Sequence, residues 1–376
     1  MIEPPPLALY VHVPWCVRKC PYCDFNSHAL DGALPEQAWL ERLRADLDLE
    51  VAADAMRPLV SIFFGGGTPS LLAPRTIAGA LQAVRERFDL APDAEITLEA
   101  NPGTVEADRF RGYFEAGVNR LSLGVQSFND KALERLGRTH GSDDARRALE
   151  LAFAAGFQRM NADLMHGLPG QTTHAALEDI ERARAAGVDH ISWYQLAIEP
   201  NTAFHKRPPQ LPAEDTLGGI EKAGFRQLAA GGFQRYEISA WALPGCESRH
   251  NLNYWRFGDY LGVGPGAHGK LTGRDGTVTR TRRTRVPRDW LGGEGPKRQA
   301  ASIKADALPG EFMMNVLRLT GGVPEALFEA RTGLPFGRIE APLAAARAEG
   351  LMETDRLAAT PLGTRFLDRL VARFVT

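Results

Sequence analysis

Residues 10–28 read YVHVPWCVRKCPYCDFNSH, and they join a strand-like apolar run to three closely spaced cysteines. The chain has 376 residues and four cysteines, and three of these, Cys16, Cys20 and Cys23, lie within eight positions. Clustered thiolates are soft ligands that favour zinc or an iron–sulfur cluster. A [4Fe–4S] cluster usually takes four protein thiolates, so three would leave one iron open to a small molecule.

A zinc site of the Cys3His type is the alternative for these cysteines, with His12 or His28 as the fourth ligand. The position of the loop argues against zinc. The loop directly follows the first strand-like run, and α/β sheets and barrels place their active sites at the ends of strands. Both metal hypotheses stay open at this point, and the cluster is favoured.

The first 200 positions alternate between short apolar runs and longer amphipathic stretches. These two kinds of periodicity predict strands followed by helices. The predicted strands are Leu7–Val13, Val60–Phe64, Glu95–Ala100, Arg120–Val125, Arg159–Met165 and His190–Ala197. Repeated strand–helix units predict a parallel α/β sheet with helices on its outside. Six units of this kind form either a partial (β/α)6 barrel or an open sheet.

The composition changes after Pro200, where proline and glycine become frequent. We predict three domains: residues 1–200 as the strand–helix part, 201–303 as an α+β extension that covers it, and 304–376 as a small C-terminal domain. Within the extension, Gln234–Trp241 predicts a further strand. In the last domain two helices precede LMETDRLAATP, which predicts a hairpin turning at Asp355–Arg356 and a winged-helix-like shape.

Polar and glycine residues stand where the predicted strands end. Gly65–Thr68 follows the second strand, Glu99 closes the third, Gln126 closes the fourth, and Asp163 lies inside the fifth. Glycines let the backbone approach a ligand closely and expose its N–H groups. Because the strand ends of a parallel barrel converge on one mouth, we expect these residues and the cysteine loop to face one cavity.

Composition excludes several classes of protein. The net charge is −2, which gives no overall attraction to nucleic acid or to an anionic membrane. The first ten residues, MIEPPPLALY, lack the cationic start and long apolar run of a signal peptide. No segment approaches the ~18 uninterrupted apolar residues of a spanning helix. We therefore predict a cytoplasmic protein without a transmembrane segment and without a nucleic-acid partner.

Two of these motifs resemble those of a known superfamily. CVRKCPYC at 16–23 and GGGTP at 65–69 resemble the cluster and glycine motifs of the radical S-adenosylmethionine (SAM) superfamily. The resemblance implies a partial (β/α)6 barrel and a [4Fe–4S] cluster held by Cys16, Cys20 and Cys23. It also implies SAM chelated at the open iron, where the cofactors supply radical chemistry.

Further segments along the chain resemble one particular family within this superfamily. IFFGGGTPS, RLSLGVQSFND and NADLMHGLPGQT resemble the family of oxygen-independent coproporphyrinogen III oxidases and their heme-chaperone relatives, from about Leu7 to the C-terminus. By position, this family's SAM-contacting residues would be Tyr10, Tyr22, Gly66, Gly67, Thr68, Glu99, Gln126, Arg138, Asp163 and Ala197.

Two departures from the oxidase pattern favour the heme-chaperone branch. The oxidases carry a further cysteine two places after the third, and this chain has Phe25 there. The oxidases also carry an N-terminal extension before the first strand, and here the first predicted strand begins near Leu7, which leaves no room for one. RHNLNYW at 249–255 matches the H-N-x-x-Y-W motif of the chaperones. The resemblance then implies heme as a ligand and apo-heme proteins, among them membrane cytochromes, as acceptors. Candidate heme contacts are His250, Tyr254 and Trp255.

The alternative function is that of the oxidase, which decarboxylates two propionates of coproporphyrinogen III to vinyl groups. The intact SAM motifs keep this alternative and the question of enzyme activity open. Cys246 is interpreted as a plain half-buried thiol, and His268 stays a further candidate heme contact. VTRTRRTRVPR at 278–288 carries five arginines, either for heme propionates or, as we favour, on an exposed strand with solvated charge.

Overall fold

A computed structural model describes residues 3–54, 57–104, 107–292 and 297–375. The strands are β1 (Leu7–Val13), β2 (Trp15–Cys16), β3 (His28–Ala29), β4 (Leu59–Gly66), β5 (Leu90–Ala100), β6 (Arg120–Gln126), β7 (Met160–His166), β8 (His190–Gln195), β9 (Gln234–Arg235), β10 (Ala240–Ala242), β11 (Asp259–Val263), β12 (His268–Thr272), β13 (Val278–Arg283) and β14 (Arg298–Ser302).

The helices are α1 (Glu36–Asp54), α2 (Pro74–Arg85), α3 (Ala107–Ala116), α4 (Asp130–Arg135), α5 (Ser142–Ala154), α6 (Thr173–Ala185), α7 (Ala203–Lys206), α8 (Glu214–Ala230), α9 (Arg249–Trp255), α10 (Pro287–Leu291), α11 (Leu308–Val316), α12 (Ala326–Thr332), α13 (Gly337–Ala348), α14 (Pro361–Arg365) and α15 (Leu367–Ala372). Single 3-10 turns lie at Pro69–Leu71 and Pro102–Thr104.

One large sheet organises the described residues. Its order is β14-β13-β12-β11-β1-β4-β5-β6-β7-β8-β10-β9, and β11, β1 and β4 to β8 run parallel to one another. The six predicted strands lie side by side with helices between them, which confirms the partial-barrel α/β fold. The sheet is open, because β14 and β9 form its two edges and do not pair with each other.

Strand β1 shows why this sheet has two different faces. Leu7, Leu9, Val11 and Val13 alternate along it, and each is fully buried in the main hydrophobic core. Side chains on successive strand residues point to opposite faces, so Ala8, Tyr10 and His12 share the other face. The outer face is therefore apolar and packs against the helices, whereas the inner face is free to carry polar and aromatic groups.

The inner face is covered at one end by the short helix α9, which contacts β1, β4 and β11. Ser248 caps this helix by accepting a hydrogen bond from the backbone N–H of Asn251. Glu95 of β5 accepts from the backbone N–H of His250 at 3.2 Å, and Arg120 of β6 lies 3.8 Å from the same carboxylate. Helix α9 thus forms a floor over buried charged groups.

The sheet extends further than the sequence predicted. Strands β11 to β14 add one parallel strand and an antiparallel meander beyond β1. The predicted strand Gln234–Trp241 is instead two short strands, β9 and β10. The segment between them includes Glu237. The backbone of Glu237 forms an antiparallel bridge to Leu319, and its carboxylate forms an ion pair with Arg318 at 3.2 Å. That pairing with the C-terminal part of the chain interrupts the strand.

A second hydrophobic core lies in the C-terminal part, around Phe312, Phe328 and Leu343. Antiparallel bridges join Met352 to Ala359 and Val323 to Leu357, which places a hairpin after α13. The domain limits at 200/201 and 303/304 stay predictions, since strands from 201–303 share the sheet of 1–200. Along the described ranges, no helix combines the length and apolar content that crossing a bilayer would require.

The arginine-rich strand β13 is not uniformly solvated, contrary to the exposed-strand interpretation. The Arg283 guanidinium is fully buried, and it forms ion pairs with Asp46 and Glu50, both fully buried side chains of α1. Asp46 also accepts from the backbone N–H of Gly264 at 2.8 Å. Burial raises the pKa of Asp46, and the charge of Arg283 opposes that rise. This ion-pair network ties the first helix to the meander.

We predict that Arg283→Ala lowers the free energy of unfolding by about 3 kcal/mol, because it leaves the buried Asp46 carboxylate without its cation and leaves Glu50 with Arg298 alone. Urea unfolding followed by circular dichroism measures this. The matched control is Arg288→Ala, since the Arg288 side chain is 91% exposed, and it should change stability by less than about 0.5 kcal/mol. Equal effects of the two substitutions would contradict the assignment.

Candidate functional site

A cavity of about 670 Å³ opens at the carboxyl ends of the parallel strands. It brings together residues from the cysteine loop, the glycine turn and four strand ends. The three cysteines line it, and so do nine of the ten predicted SAM contacts: Tyr22, Gly66, Gly67, Thr68, Glu99, Gln126, Arg138, Asp163 and Ala197. The tenth, Tyr10, lines a neighbouring cavity instead. The predicted site residues therefore lie at one end of the sheet.

The cysteine loop is positioned by backbone hydrogen bonds at both of its ends. The N–H of His28 donates to the carbonyl of Pro14 at 2.7 Å, and that of Leu30 donates to the carbonyl of Cys16 at 2.8 Å. These bonds form the small parallel pair β2–β3. Between them the Cys23 N–H donates to the Cys20 carbonyl at 3.1 Å. The loop is consequently a closed unit that presents three thiols to the cavity.

The thiols lie in surroundings that suit metal-bound thiolates. Arg138 Nη1 lies 3.6 Å from Cys20 Sγ, and Cys23 Sγ lies 3.6 Å from the Ser27 hydroxyl. A neighbouring cation stabilises a thiolate. Burial raises the pKa of Cys16, and a hydrogen bond with Thr68 opposes that rise. Three half-buried thiols on one loop beside a guanidinium fit an iron–sulfur cluster as donor set.

The structure argues against the zinc alternative. His12 Nε2 donates to the carbonyl of Asn26 at 2.9 Å, and its Nδ1 accepts from the Tyr10 hydroxyl at 3.0 Å. His28 Nε2 donates to Asn26 Oδ1 at 3.2 Å. Neither histidine lines the cavity that the three cysteines share. Because both ring nitrogens of His12 are engaged and neither histidine lies in the cysteine cavity, neither is placed as a fourth ligand.

The glycine turn after β4 depends on the absence of side chains. Gly66 has a φ of 117°, and a Cβ there would lie 2.5 Å from the His12 ring. A Cβ on Gly67 would lie 2.6 Å from the carbonyl oxygen of Trp15. The freed backbone N–H of Gly66 donates to Glu99 Oε2 at 3.1 Å. These contacts place the turn directly between the cysteine loop and Glu99.

Two carboxyl groups face the cavity from the inner face of the sheet. Burial, with a smaller contribution from the charge of Asp163, raises the pKa of Glu99 to about 8. Burial also raises the pKa of Asp163, against hydrogen bonds from Asn161 and Ser192. The Asn161 amide donates to Asp163 Oδ1 at 2.7 Å. In this arrangement Glu99 holds a proton near neutral pH, and a cation bound nearby would favour its release.

Strand β6, the fourth of the predicted strands, ends in an unusual backbone conformation. Gln126 has a φ of 67°, in the left-handed region that side chains other than glycine seldom occupy. Its Oε1 accepts from the Tyr194 hydroxyl at 2.9 Å. Arg138 Nη2 donates to the carbonyl of Gly124 at 2.7 Å, whereas its buried Nε has no hydrogen-bond partner among the described residues. Strained backbone and an unpaired buried donor are typical of a binding site.

The three candidate heme contacts lie in different surroundings. His250 is 5% exposed, its Nδ1 lies 3.0 Å from the Ser61 hydroxyl, and burial lowers its pKa to about 3. Tyr254 lines the neighbouring cavity, about 880 Å³ in volume. Trp255 packs on the C-terminal core, with the Arg318 guanidinium 4.3 Å from its ring centre. Of the three, Tyr254 alone lines either of these two cavities, and all three assignments stay predictions.

Tyr194 and Arg318 are among the residues of the first cavity that the sequence did not predict. Tyr194 lies in β8, the sixth predicted strand. It is two positions after Ser192 and therefore on the same inner face, and this spacing was the available signal. Arg318 comes from the C-terminal part of the chain and had no local signal. Cys246 is half-buried and lines neither cavity, and its pKa is raised by burial and by Asp189.

Comparisons with known proteins agree with this geometry. The Radical SAM superfamily pattern matches residues 10–183, and that of the HemN C-terminal domain matches 303–366. Curated relatives named heme chaperone HemW, from Escherichia coli K12 and Haemophilus influenzae, are 50% and 48% identical to this chain. The alignments cover 100% and 99% of this chain, and 100% and 98% of those relatives.

A solved structure of coproporphyrinogen III oxidase (HemN) from Escherichia coli, described as a radical SAM enzyme, is also similar. The TM-score is 0.82 at 23% identity, over 99% of this chain and 91% of that one. Identity at this level supports the common fold alone.

We predict that Gly66→Ala weakens SAM binding at least about tenfold in protein reconstituted with iron and sulfide. The added methyl group meets the His12 ring, and the φ of 117° is strained for alanine. Calorimetric titration with SAM measures the affinity. Gly218→Ala is the control, because no atom lies within 4 Å of its Cβ on α8, and it should leave the affinity unchanged. An affinity within twofold of wild type for Gly66→Ala would count against the site.

We predict a pH dependence of stability that comes from Glu99. In the pH range between its unfolded value of 4.5 and about 8, the folded protein keeps a proton that the unfolded chain releases. Stability of the cofactor-free protein should therefore fall as pH rises from about 5.5 to 7.5, by up to about 2 kcal/mol. Glu99→Gln should remove most of this fall, while exposed Glu134→Gln should not. Parallel urea titrations of the three proteins test it, and identical slopes would refute it.

Proposed function

The chain belongs to the radical SAM superfamily, in the family of the HemW proteins, and on this basis we propose that it is a heme chaperone. The proposal is carried by 50% and 48% identity to relatives of that name over nearly all of this chain and of those relatives. We propose that it binds heme and transfers it to apo-heme proteins, among them membrane cytochromes. We further propose that it does so in the cytoplasm.

Membership of the superfamily implies a [4Fe–4S] cluster and SAM. We propose that Cys16, Cys20 and Cys23 hold the cluster, and that SAM occupies the cavity between them and the strand ends. When bound, the two cofactors supply one-electron radical chemistry. The protein's own part is to position them: Arg138 lies beside the Cys20 sulfur, and Gly66 opens the backbone toward Glu99.

Phe25 supports the chaperone over the oxidase, which the similar HemN fold would otherwise suggest. It occupies the place where the oxidase pattern has a further cysteine, and its side chain is 61% exposed beside the cluster loop. A phenyl ring cannot ligate metal or donate a hydrogen atom as a thiol can. It offers apolar surface to a flat, apolar ligand instead.

We predict that the anaerobically reconstituted protein takes up about one equivalent of hemin with a shift of the Soret band. The same preparation, given coproporphyrinogen III, SAM and dithionite, should form no protoporphyrinogen. Absorbance titration measures the first result, and chromatography of the oxidised porphyrins measures the second.

A Cys246→Ala variant is the control, because Cys246 lines neither cavity and should leave cluster content and hemin uptake unchanged. Steady formation of protoporphyrinogen would favour the oxidase. Absence of any Soret shift in protein with an intact cluster would remove the chaperone proposal.

A further inference from the structure

The neighbouring cavity of about 880 Å³ is within the usual size of small-molecule sites. One of its walls is aromatic: Tyr254 and Tyr260 stack with ring centres 4.0 Å apart, and both line the cavity. Phe25 lines it as well and exposes most of its ring. An aromatic wall of this kind packs well against a flat, apolar ring system.

The lining of this cavity also carries positive charge that no carboxylate of the described residues neutralises. Arg282 and Arg285 both line it. Their Nε atoms donate to neutral amide oxygens, that of Gln299 at 2.6 Å and that of Asn26 at 3.2 Å. In the described part of the chain neither guanidinium is within ion-pair distance of a carboxylate.

Arg280 and Arg283, the other two arginines of strand β13 besides Arg282, have carboxylate partners. Arg280 is paired with Glu311, and Arg283 with Asp46 and Glu50. Arg280 and Arg283 are therefore held in structural ion pairs. Arg282 of β13 and Arg285, two residues after the strand, line the cavity without a carboxylate partner among the described residues. Guanidinium groups recognise carboxylates by paired hydrogen bonds.

One histidine in this cavity has ring nitrogens with no hydrogen-bond partner among the described residues. His268 begins β12, pairs across the strands with Arg282, and is exposed to the cavity. His12 also lines the cavity, but both of its ring nitrogens are engaged. His250 lies outside the lining, and its Nδ1 is engaged by Ser61. Imidazole nitrogen is a common ligand of heme iron.

We propose that this cavity is the heme site. Arg282 and Arg285 bind the two propionates, and His268 coordinates the iron through a ring nitrogen. The ring system would pack against Tyr254, Tyr260 and Phe25. This inference rests on the proposed chaperone function and goes further, since it assigns the cargo to a cavity separate from most of the SAM site. It also assigns the iron ligand to His268 rather than to the motif residue His250.

The propionate contacts are tested with hemin and hemin dimethyl ester, in which both carboxylates are blocked. Full-length, cluster-reconstituted wild type should bind hemin about tenfold or more tightly than the ester. An Arg282→Ala/Arg285→Ala double variant should bind both compounds with the affinity that wild type has for the ester. The control is Arg111→Ala/Arg146→Ala, two exposed helical arginines, which should keep the wild-type preference.

The iron ligand is tested by the spectrum of the bound heme. His268→Ala should change the Soret position and the low-temperature EPR signal of bound hemin, and added imidazole should restore both. His174→Ala, an exposed histidine on α6, should leave both unchanged. A changed spectrum in His250→Ala together with an unchanged one in His268→Ala would overturn the assignment of the ligand.

The outcomes separate this inference from the proposed function. If wild type takes up no hemin, the chaperone proposal itself is lost. If wild type takes up hemin but the double arginine variant keeps the full preference over the ester, heme binds elsewhere and only the cavity assignment fails. Loss of the preference in the double variant, with circular dichroism and cluster content unchanged, supports the cavity.

Discussion

The site depends on the close approach of the backbone at Gly66 and Gly67 to the end of strand β1. The N–H of Gly67 donates to the carbonyl of Val13 at 2.7 Å, and the N–H of Thr68 donates to that of Trp15 at the same distance. A side chain at either glycine would collide with His12 or with the Trp15 carbonyl. Because Trp15 directly precedes the first cysteine, this contact sets the position of the whole cysteine loop against the sheet.

The second constraint is that the inner face of the sheet is polar and must be covered away from the cavity mouth. Glu95 and Arg120 are almost fully buried there, and buried charges are tolerated only when they are paired and hydrogen-bonded. Helix α9 meets this need, since its backbone N–H at His250 and the hydroxyl of Ser248 contact Glu95. The H-N-x-x-Y-W motif therefore has a structural role on this floor, which accounts for the burial of its histidine.

Much of this architecture could be predicted because local sequence patterns determine it. Leu7–Val13 alternates as a strand, and Glu99 and Gln126 stand at strand ends, which must converge in a parallel sheet. The pairing of Arg283 with Asp46 and Glu50 could not be predicted, because it joins residues more than 200 positions apart. Strands β11, β12 and β14 were missed for a similar reason, because they are held in the sheet by pairing partners that are distant in sequence or that the sequence did not identify.

Phe25 lines both cavities, and the properties of its side chain matter for each of them. With Gly66 and Glu99 it borders the cofactor cavity and the proposed heme cavity alike. A thiol at this position would add a fourth sulfur beside the cluster loop, whereas phenylalanine leaves three and adds apolar surface. Covering an exposed phenylalanine ring with a ligand contributes roughly 1 to 2 kcal/mol. In the proposed arrangement, Phe25 therefore leaves the cluster loop with three thiols and gives the proposed heme cavity additional apolar surface.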